Sequence, residues 1–276
     1  MTSIEKIIFT KAVASGNDFI IIDNKDKQLN LYNLNYSDLA KELCHRNFSI
    51  GADGILVLEE SDKATFKMRI INSDGSEVAM CGNGTRCSAL YASINGWEKN
   101  LTIETGAGIL DAIVNKNNVK VKMTDPKDMN LNIQSSLFGF SNNEKVYFVN
   151  TGVEHVVCIV DNIQKYDIKT IGRNIRNNDF FAPKGTNVNF VEIKDKENIN
   201  IRTYERGVED ETLACGTGSV ASAIVLGFLG IVNSPVKVKT KSGEVLTISY
   251  SIVDKKIENV YMEGTAKLIF KCNLLK

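Results

Sequence analysis

The chain is written twice, and that constrains its fold more than any other feature. "EVAMCGNGTRCSALY" at residues 77–91 sets a cysteine directly before a glycine-flanked helix start, and "ETLACGTGSVASAIV" at 211–225 repeats the device. Other segments keep the same spacing. "SGNDFII" at 15–21 answers "TGVEHVV" at 151–157, and "DGILVL" at 53–58 answers "TNVNFV" at 186–191. Arg69 in "MRIINSDG" matches Arg202 in "IRTYERG", and Thr105 with Gly108 matches Thr240 with Gly243. Five matches in one order, 133 to 136 residues apart, describe a duplication. Two long copies are not a solenoid of short repeats.

Each copy reads as strands around one helix. "KIIFTKAV", "GILVLEE", "TFKMRIIN", "NVKVKM", "HVVCIV", "NVNFVEI", "VKVKTK" and "EVLTISYSI" carry β-branched residues with partial period-two alternation. "YSDLAKELCHRN" predicts an amphipathic helix with Ser37 as N-cap and Leu39, Leu43 and Cys44 on one side, and "IKTIGRNIRNN" holds the equivalent place. After Cys215 nearly every position is apolar or small, as in a helix buried on all sides. The expected class is α+β: two pseudo-symmetric domains from an internal duplication, each a curved mixed sheet or barrel-like roll around a central helix. The boundaries read as 1–124 plus 263–276 for the N-terminal domain and 125–262 for the C-terminal one, with "GTAKLIFKCNLL" returning to complete the first sheet.

Thirty-three basic residues balance thirty-three acidic ones, so no net field gathers nucleic acid or an anionic membrane. The longest apolar region, "SVASAIVLGFLGIV", falls short of the ~20 residues that span a bilayer. The start, "MTSIEKIIFTKAV", lacks a signal-peptide core. A cytoplasmic location is expected, and six cysteines there read as reduced thiols.

A helix start offers unpaired N–H groups and the positive end of the macrodipole. Glycine immediately after each thiol lets those amides approach a ligand, and a carboxylate suits such a mouth. The same dipole lowers the pKa of the adjacent thiol. If the two mouths share one carboxylate, Cys81 and Cys215 reach opposite faces of the adjoining carbon. One thiolate then removes the Cα proton while the other thiol delivers a proton from behind, with the developing charge held by the amides. No bound cofactor is required.

"SGNDFI", "IGADGIL", "INSDGSEVAMCGNGTRC", "TGVEH", "GTNVNFV" and "YERGVEDETLACGTG" resemble, in order and over essentially the whole chain, the motifs of the diaminopimelate epimerases. The resemblance implies PLP-independent conversion of LL-2,6-diaminopimelate to the meso form, on the route to lysine and peptidoglycan precursors. It implies Cys81 and Cys215 as the catalytic pair, with His155 and Glu205 tuning them. Gly82, Asn83, Gly216 and Thr217 would grip the reacting carboxylate, and Asn17, Asn72, Asn187, Glu205 and Arg206 would make the other substrate contacts. A zwitterionic amino acid is the implied ligand and a homodimer the implied assembly. Three positions depart from the pattern: Val153 replaces a frequent asparagine, Gly54 replaces a glutamine of some members, and "GVEDETLA" is one residue longer than usual.

Several of these residues also admit plainer readings. Cys87 with Leu90, Tyr91 and Ile94 makes a core stripe, and Cys44 and Cys272 read as buried small hydrophobes. His155 and Cys158, three apart in a strand, point to opposite faces and make a poor zinc pair, so no metal is expected. "GTGSVA" fits a dinucleotide fingerprint, but "GVEDETLA" separates it from the preceding strand. The competing functions are a proline or hydroxyproline racemase of the same architecture and a non-enzymatic thiol redox or metal-binding protein. "YERGVEDET", with adjacent Glu205 and Arg206, favours a long dibasic, dicarboxylic substrate over proline.

Overall fold

The computed structural model describes residues 7–31, 33–140 and 144–273. The Lys6 start of the first predicted strand, the opening residues read for a leader, and residues 274–275 of the closing segment lie outside them. The chain divides into two compact units: residues 1–121 with 264–276, and residues 122–263.

In the first unit the strands are β1 (Phe9–Ala14), β2 (Asn17–Asp23), β3 (Gly54–Glu59), β4 (Phe66–Asn72), β5 (Glu77–Val78), β6 (Asn100–Thr105), β7 (Gly108–Asn115) and β8 (Asn118–Lys122). The helices are the one-turn α1 (Gln28–Leu31), α2 (Tyr36–Leu43) and α3 (Gly82–Ile94). The second unit holds β9 (Lys127–Ile133), β10 (Lys145–Asn150), β11 (Glu154–Ile159), α4 (Ile168–Arg176), β12 (Asn187–Ile193), β13 (Asn198–Glu205), β14 (Asp210–Thr212), α5 (Gly216–Phe228), β15 (Val236–Lys239), β16 (Val245–Val253) and β17 (Lys256–Thr265). The final strand, β18 (Lys267–Cys272), returns to the first unit and lies antiparallel to β1.

Pairing repeats strand for strand. β2 runs parallel to β3 as β11 does to β12, and β4 runs parallel to β6 as β13 does to β15. β3–β4 and β12–β13 are antiparallel, as are β6–β7 and β15–β16. β18 flanks β1 as β9 flanks β10. The register fixes which residues correspond. Phe19 lies opposite Gly54, and Gly54 opposite Asn72; His155 lies opposite Asn187.

Each sheet is covered on both faces, which is why its middle strands read as continuous apolar runs. Ile20, Ile22, Ile55 and Val57 face outward onto Leu39, Ala40 and Leu43 of α2. Val156, Cys158, Val188 and Phe190 face Ile168 and Ile175 of α4. The opposite face of each sheet wraps its central helix. α3 touches β18, β1, β2, β3, β4 and β7, and residues 83–92 are all buried. α5 does the same with β10 to β13, β15 and β16, and residues 218–227 are all buried. This is the expected α+β architecture, two repeated units each curved around one helix.

Three local readings change. Asn35, not Ser37, caps α2: its carboxamide accepts from the Ser37 and Asp38 N–H groups at 2.8 and 3.2 Å. The helix begins at Tyr36, two residues earlier than the Ser37 assignment requires, which puts Ser37 inside the first turn. Cys87, Leu90 and Tyr91 are buried as a stripe, but Ile94, at the C-terminal end of α3, is 60% exposed. Cys44 is buried, while Cys272 is only partly buried against the α2 side of the sheet. No described helix is long and apolar enough to cross a membrane.

Candidate active site

Both cysteines are helix N-caps with extended backbone, φ −146° and ψ 115° at Cys81, φ −122° and ψ 112° at Cys215. Each carbonyl receives two bonds from the next turn: Thr85 N–H and Oγ1 at 2.8 and 2.9 Å on Cys81, Ser219 N–H and Oγ at 3.0 and 2.9 Å on Cys215. A hydroxyl at the same place in both copies thus fixes the turn that carries the thiol. Cys81 Sγ accepts from the Gly84 N–H at 3.4 Å, and Cys215 Sγ lies 3.5 Å from Thr217 Oγ1. The N–H groups of Gly82 and Asn83, and of Gly216 and Thr217, sit in the first turn ahead of i−4 bonding and are the natural carboxylate donors.

A second repeated device anchors the approach to each thiol. Arg69 grips Glu77 with Nε and Nη2 at 2.8 and 2.6 Å, and Arg202 grips Glu211 the same way at 2.6 and 2.9 Å. Both pairs tie the strand before the turn to the short strand that leads to the cysteine. The repeat in the sequence pairs Arg69 with Arg202; their carboxylate partners emerge only in the fold. The departure "GVEDETLA" is resolved by this geometry, since residues 210–212 form β14 and the turn before it absorbs the length.

Around Cys81 the polar groups form a directed chain. Arg86, fully buried, donates to Asn83 Oδ1 and Ser15 Oγ at 2.6 and 2.7 Å and to the Thr265 carbonyl at 3.0 Å. A guanidinium only donates, so Asn83 must turn its oxygen toward it. Asn83 Nδ2 then donates to Asn17 Oδ1, and Asn17 Nδ2 donates to Asp53 Oδ2 at 3.0 Å. Asp53 also accepts from the Asp18 N–H at 3.1 Å and from Arg46 at 2.7 Å. Asp18 pairs with Lys11 and Arg46, both at 2.7 Å. Burial pushes the Asp18 carboxyl up, yet the bonds from Arg46 and Lys11 outweigh it and hold it below the usual carboxylate range. The structure therefore joins Asn17, Asn83 and the Cys81 turn in one hydrogen-bonded chain. Asn72, at the end of β4, donates to Ser76 Oγ at 3.1 Å.

Around Cys215 the surroundings differ. Asn187 is held by backbone on both sides: its oxygen accepts the Arg206 N–H at 2.9 Å and its nitrogen donates to the Glu154 carbonyl at 3.1 Å. Arg206 Nη1 donates to Glu154 Oε2 at 2.9 Å and to the Lys184 and Gly185 carbonyls at 3.2 and 3.1 Å. That leaves Nε and Nη2 as the edge suited to a carboxylate fork. Burial pushes the Glu205 carboxyl up, partly offset by the Thr212 hydroxyl. His155 is fully buried, and burial together with the Arg206 charge holds its imidazole down to about 3, so it is neutral. Its Nδ1 lies 3.1 Å from Asn189 Nδ2. Val153 occupies the place of Asn17, one residue before the strand that carries His155.

Asp53, Glu154, Arg86 and Asn189 escaped the sequence reading. Asp53 and Glu154 stand in quoted motifs beside residues that were singled out. Asn189 had a signal too, as a polar residue between Val188 and Phe190 in a strand otherwise facing core.

The family described as Diaminopimelate epimerase matches residues 9–129 and 147–269. A diaminopimelate epimerase of Chlorobaculum tepidum is 39% identical over 262 residues, covering 93% of this chain and 97% of the relative. One from Aquifex aeolicus is 40% identical, covering 96% of this chain and 97% of that one. Among solved structures, a Bacillus anthracis phenazine biosynthesis protein of the PhzF family overlays with TM-score 0.69 at 18% identity, over 98% of this chain and 99% of the other. A probable proline racemase from Agrobacterium radiobacter overlays with TM-score 0.68 at 15% identity, over 98% and 93%. At these identities the two structures establish a shared fold and nothing about substrate.

Proposed function

The chain belongs to the diaminopimelate epimerase family, a family of isomerases, and on that basis we propose that it epimerises LL-2,6-diaminopimelate to meso-diaminopimelate without a cofactor, using Cys81 and Cys215 as its two bases. The observation that carries the reading is the repetition of one thiol-bearing helix mouth on equivalent elements of both units.

The thiolate of one cysteine takes the proton from Cα, and the Cα–H bond electrons pass into the carboxylate as an enolate-like carbanion. The thiol of the other cysteine protonates the opposite face. The centre is inverted, and the two sulfurs end with exchanged protonation states. Amides at Gly82, Asn83, Gly216 and Thr217 hold the charge that grows on the carboxylate. His155 and Glu205 set the protonation balance of the thiols. At the far end of the substrate, the free edge of Arg206 takes the second carboxylate, while Asn17, Asn72 and Asn187 orient the chain. Glu205 accepts from an ammonium. The reading includes a cytoplasmic homodimer with a small zwitterionic substrate.

Incubation of the protein with LL-diaminopimelate in D₂O tests this. The expected product is the meso isomer carrying one deuterium, at the inverted carbon. Deuterium entering proline or hydroxyproline, and not diaminopimelate, would transfer the chain to the racemase reading that the fold also permits.

A further inference from the structure

The first turn of α5 rests on a carboxamide. A Cβ added to Gly218 would sit 2.2 Å from Asn189 Oδ1 and 3.3 Å from Cys215 Cβ, so the amide and the thiol-bearing residue lie within about 5.5 Å of each other. Asn189 is fully buried, and its bonds fix which way it faces. Nδ2 donates to the Val156 carbonyl at 2.9 Å, a group that can only accept, and Oδ1 accepts from Thr203 Oγ1 at 3.0 Å. The second Nδ2 hydrogen points at His155 Nδ1, 3.1 Å away. That nitrogen must then be the bare one, and the imidazole proton resides on Nε2. His155 Nε2 is buried with no hydrogen-bond partner among the described residues.

The fold does not demand this pair. In the first unit the same two positions under the helix are Phe19 and Leu56, both buried, and Leu56 Cδ2 lies 3.0 Å from where a Gly84 Cβ would be. A chain that packs Phe and Leu there in one copy keeps His and Asn in the other, although leaving a buried donor unpaired is unfavourable.

We propose that Asn189 is a positioning residue that locks His155 in its neutral Nε2–H tautomer, so that this N–H is the donor the imidazole presents to the negative charge arising at the Cys215 mouth during turnover. The assignment of that charge rests on the epimerase reading; the tautomer does not.

The chain has two histidines, so nitrogen NMR of ¹⁵N-histidine-labelled protein resolves both rings. For His155 the expected signature across neutral pH is a protonated Nε2 and a bare Nδ1. A protonated Nδ1 in the unaltered protein overturns the proposal without any variant. Asn189→Asp replaces the donor with an acceptor of the same shape and is expected to move the proton to Nδ1. kcat should then fall roughly 10- to 100-fold, the loss of one hydrogen bond to a charged group, with KM little changed. Retention of the Nε2–H tautomer in Asn189→Asp, or a switched tautomer with unchanged kcat, overturns it equally. If the unaltered protein leaves diaminopimelate untouched, the proposed function fails while the tautomer signature still stands or falls by itself.

Discussion

Beneath Cys81 the sheet presents the apolar pair Phe19 and Leu56 to the central helix; beneath Cys215 the same positions present His155 and Asn189. The polar investment in the first unit lies elsewhere, in the Arg86–Asn83–Asn17–Asp53 chain along the helix mouth. Its equivalents in the second unit are Val220, Thr217, Val153 and Thr186, none of them charged. The duplication preserved backbone, cap and thiol, and let the surroundings diverge. Under the mechanism proposed above the two thiols hold opposite protonation states at the same moment, and unlike settings favour that.

The largest effect should come from the feature the two mouths share. Cys81→Ala and Cys215→Ala are each expected to lower kcat at least ~10³-fold, within the range for losing a general acid or base. Thermal melting of both variants should stay close to that of the unaltered chain. Turnover within tenfold of normal in either variant would reduce the mechanism to one base and make the second thiol incidental.

Copying the first unit into the second sharpens the contrast further. His155→Phe with Asn189→Leu should fold, because Phe19 and Leu56 already pack under a matching helix. The pH dependence of stability should change as well. The imidazole is held near 3 in the fold against an ordinary 6.5, so between those values the unfolded chain binds a proton that the folded chain does not. Stability therefore falls as pH drops through that window, by about 1.4 kcal/mol per pH unit from this one group. The double variant should lose that contribution, read as a shallower decline of denaturant midpoints from pH 6.5 downward. Equal slopes would mean that His155 is charged in the fold or already shielded in the unfolded chain.

Much of this molecule was legible from residue spacing, and the limits of that legibility have physical causes. The 133 to 136-residue offset located the equivalent strands, because insertions between copies are few and register is set by which face is buried. The 133-residue offset carries Asn72 onto Glu205, and the strand pairing agrees: Tyr204 lies opposite Val188, as Ile71 lies opposite Ile55. What spacing cannot show is the partner a polar side chain finds across the sheet. Arginine is rarely buried, and nothing in the spacing singles out Arg86, which Ser15 and Thr265 meet inside the fold. Asn35 and Ser37 are both good caps, and only the point where the chain turns decides between them.

The smallest expected effect separates two copies of one ion pair. Glu211 has a side chain 4% exposed and is shared by Arg202 and Lys241, whereas Glu77 is 47% exposed and, among the described residues, pairs with Arg69. Glu211→Gln leaves two cations facing a neutral amide in a partly dry setting and should destabilise by about 3 kcal/mol, as when a buried pair loses one member. Glu77→Gln breaks the same bidentate geometry in contact with water, where solvent replaces the lost carboxylate, and should cost under about 1 kcal/mol. Added salt should widen the gap slightly, since it screens the exposed pair and scarcely reaches the buried one. Denaturant titrations of the two single variants, at low and high ionic strength, measure this. Equal losses would show that the hairpins before the two thiols depend on their ion pairs alike, and that burial does not distinguish them.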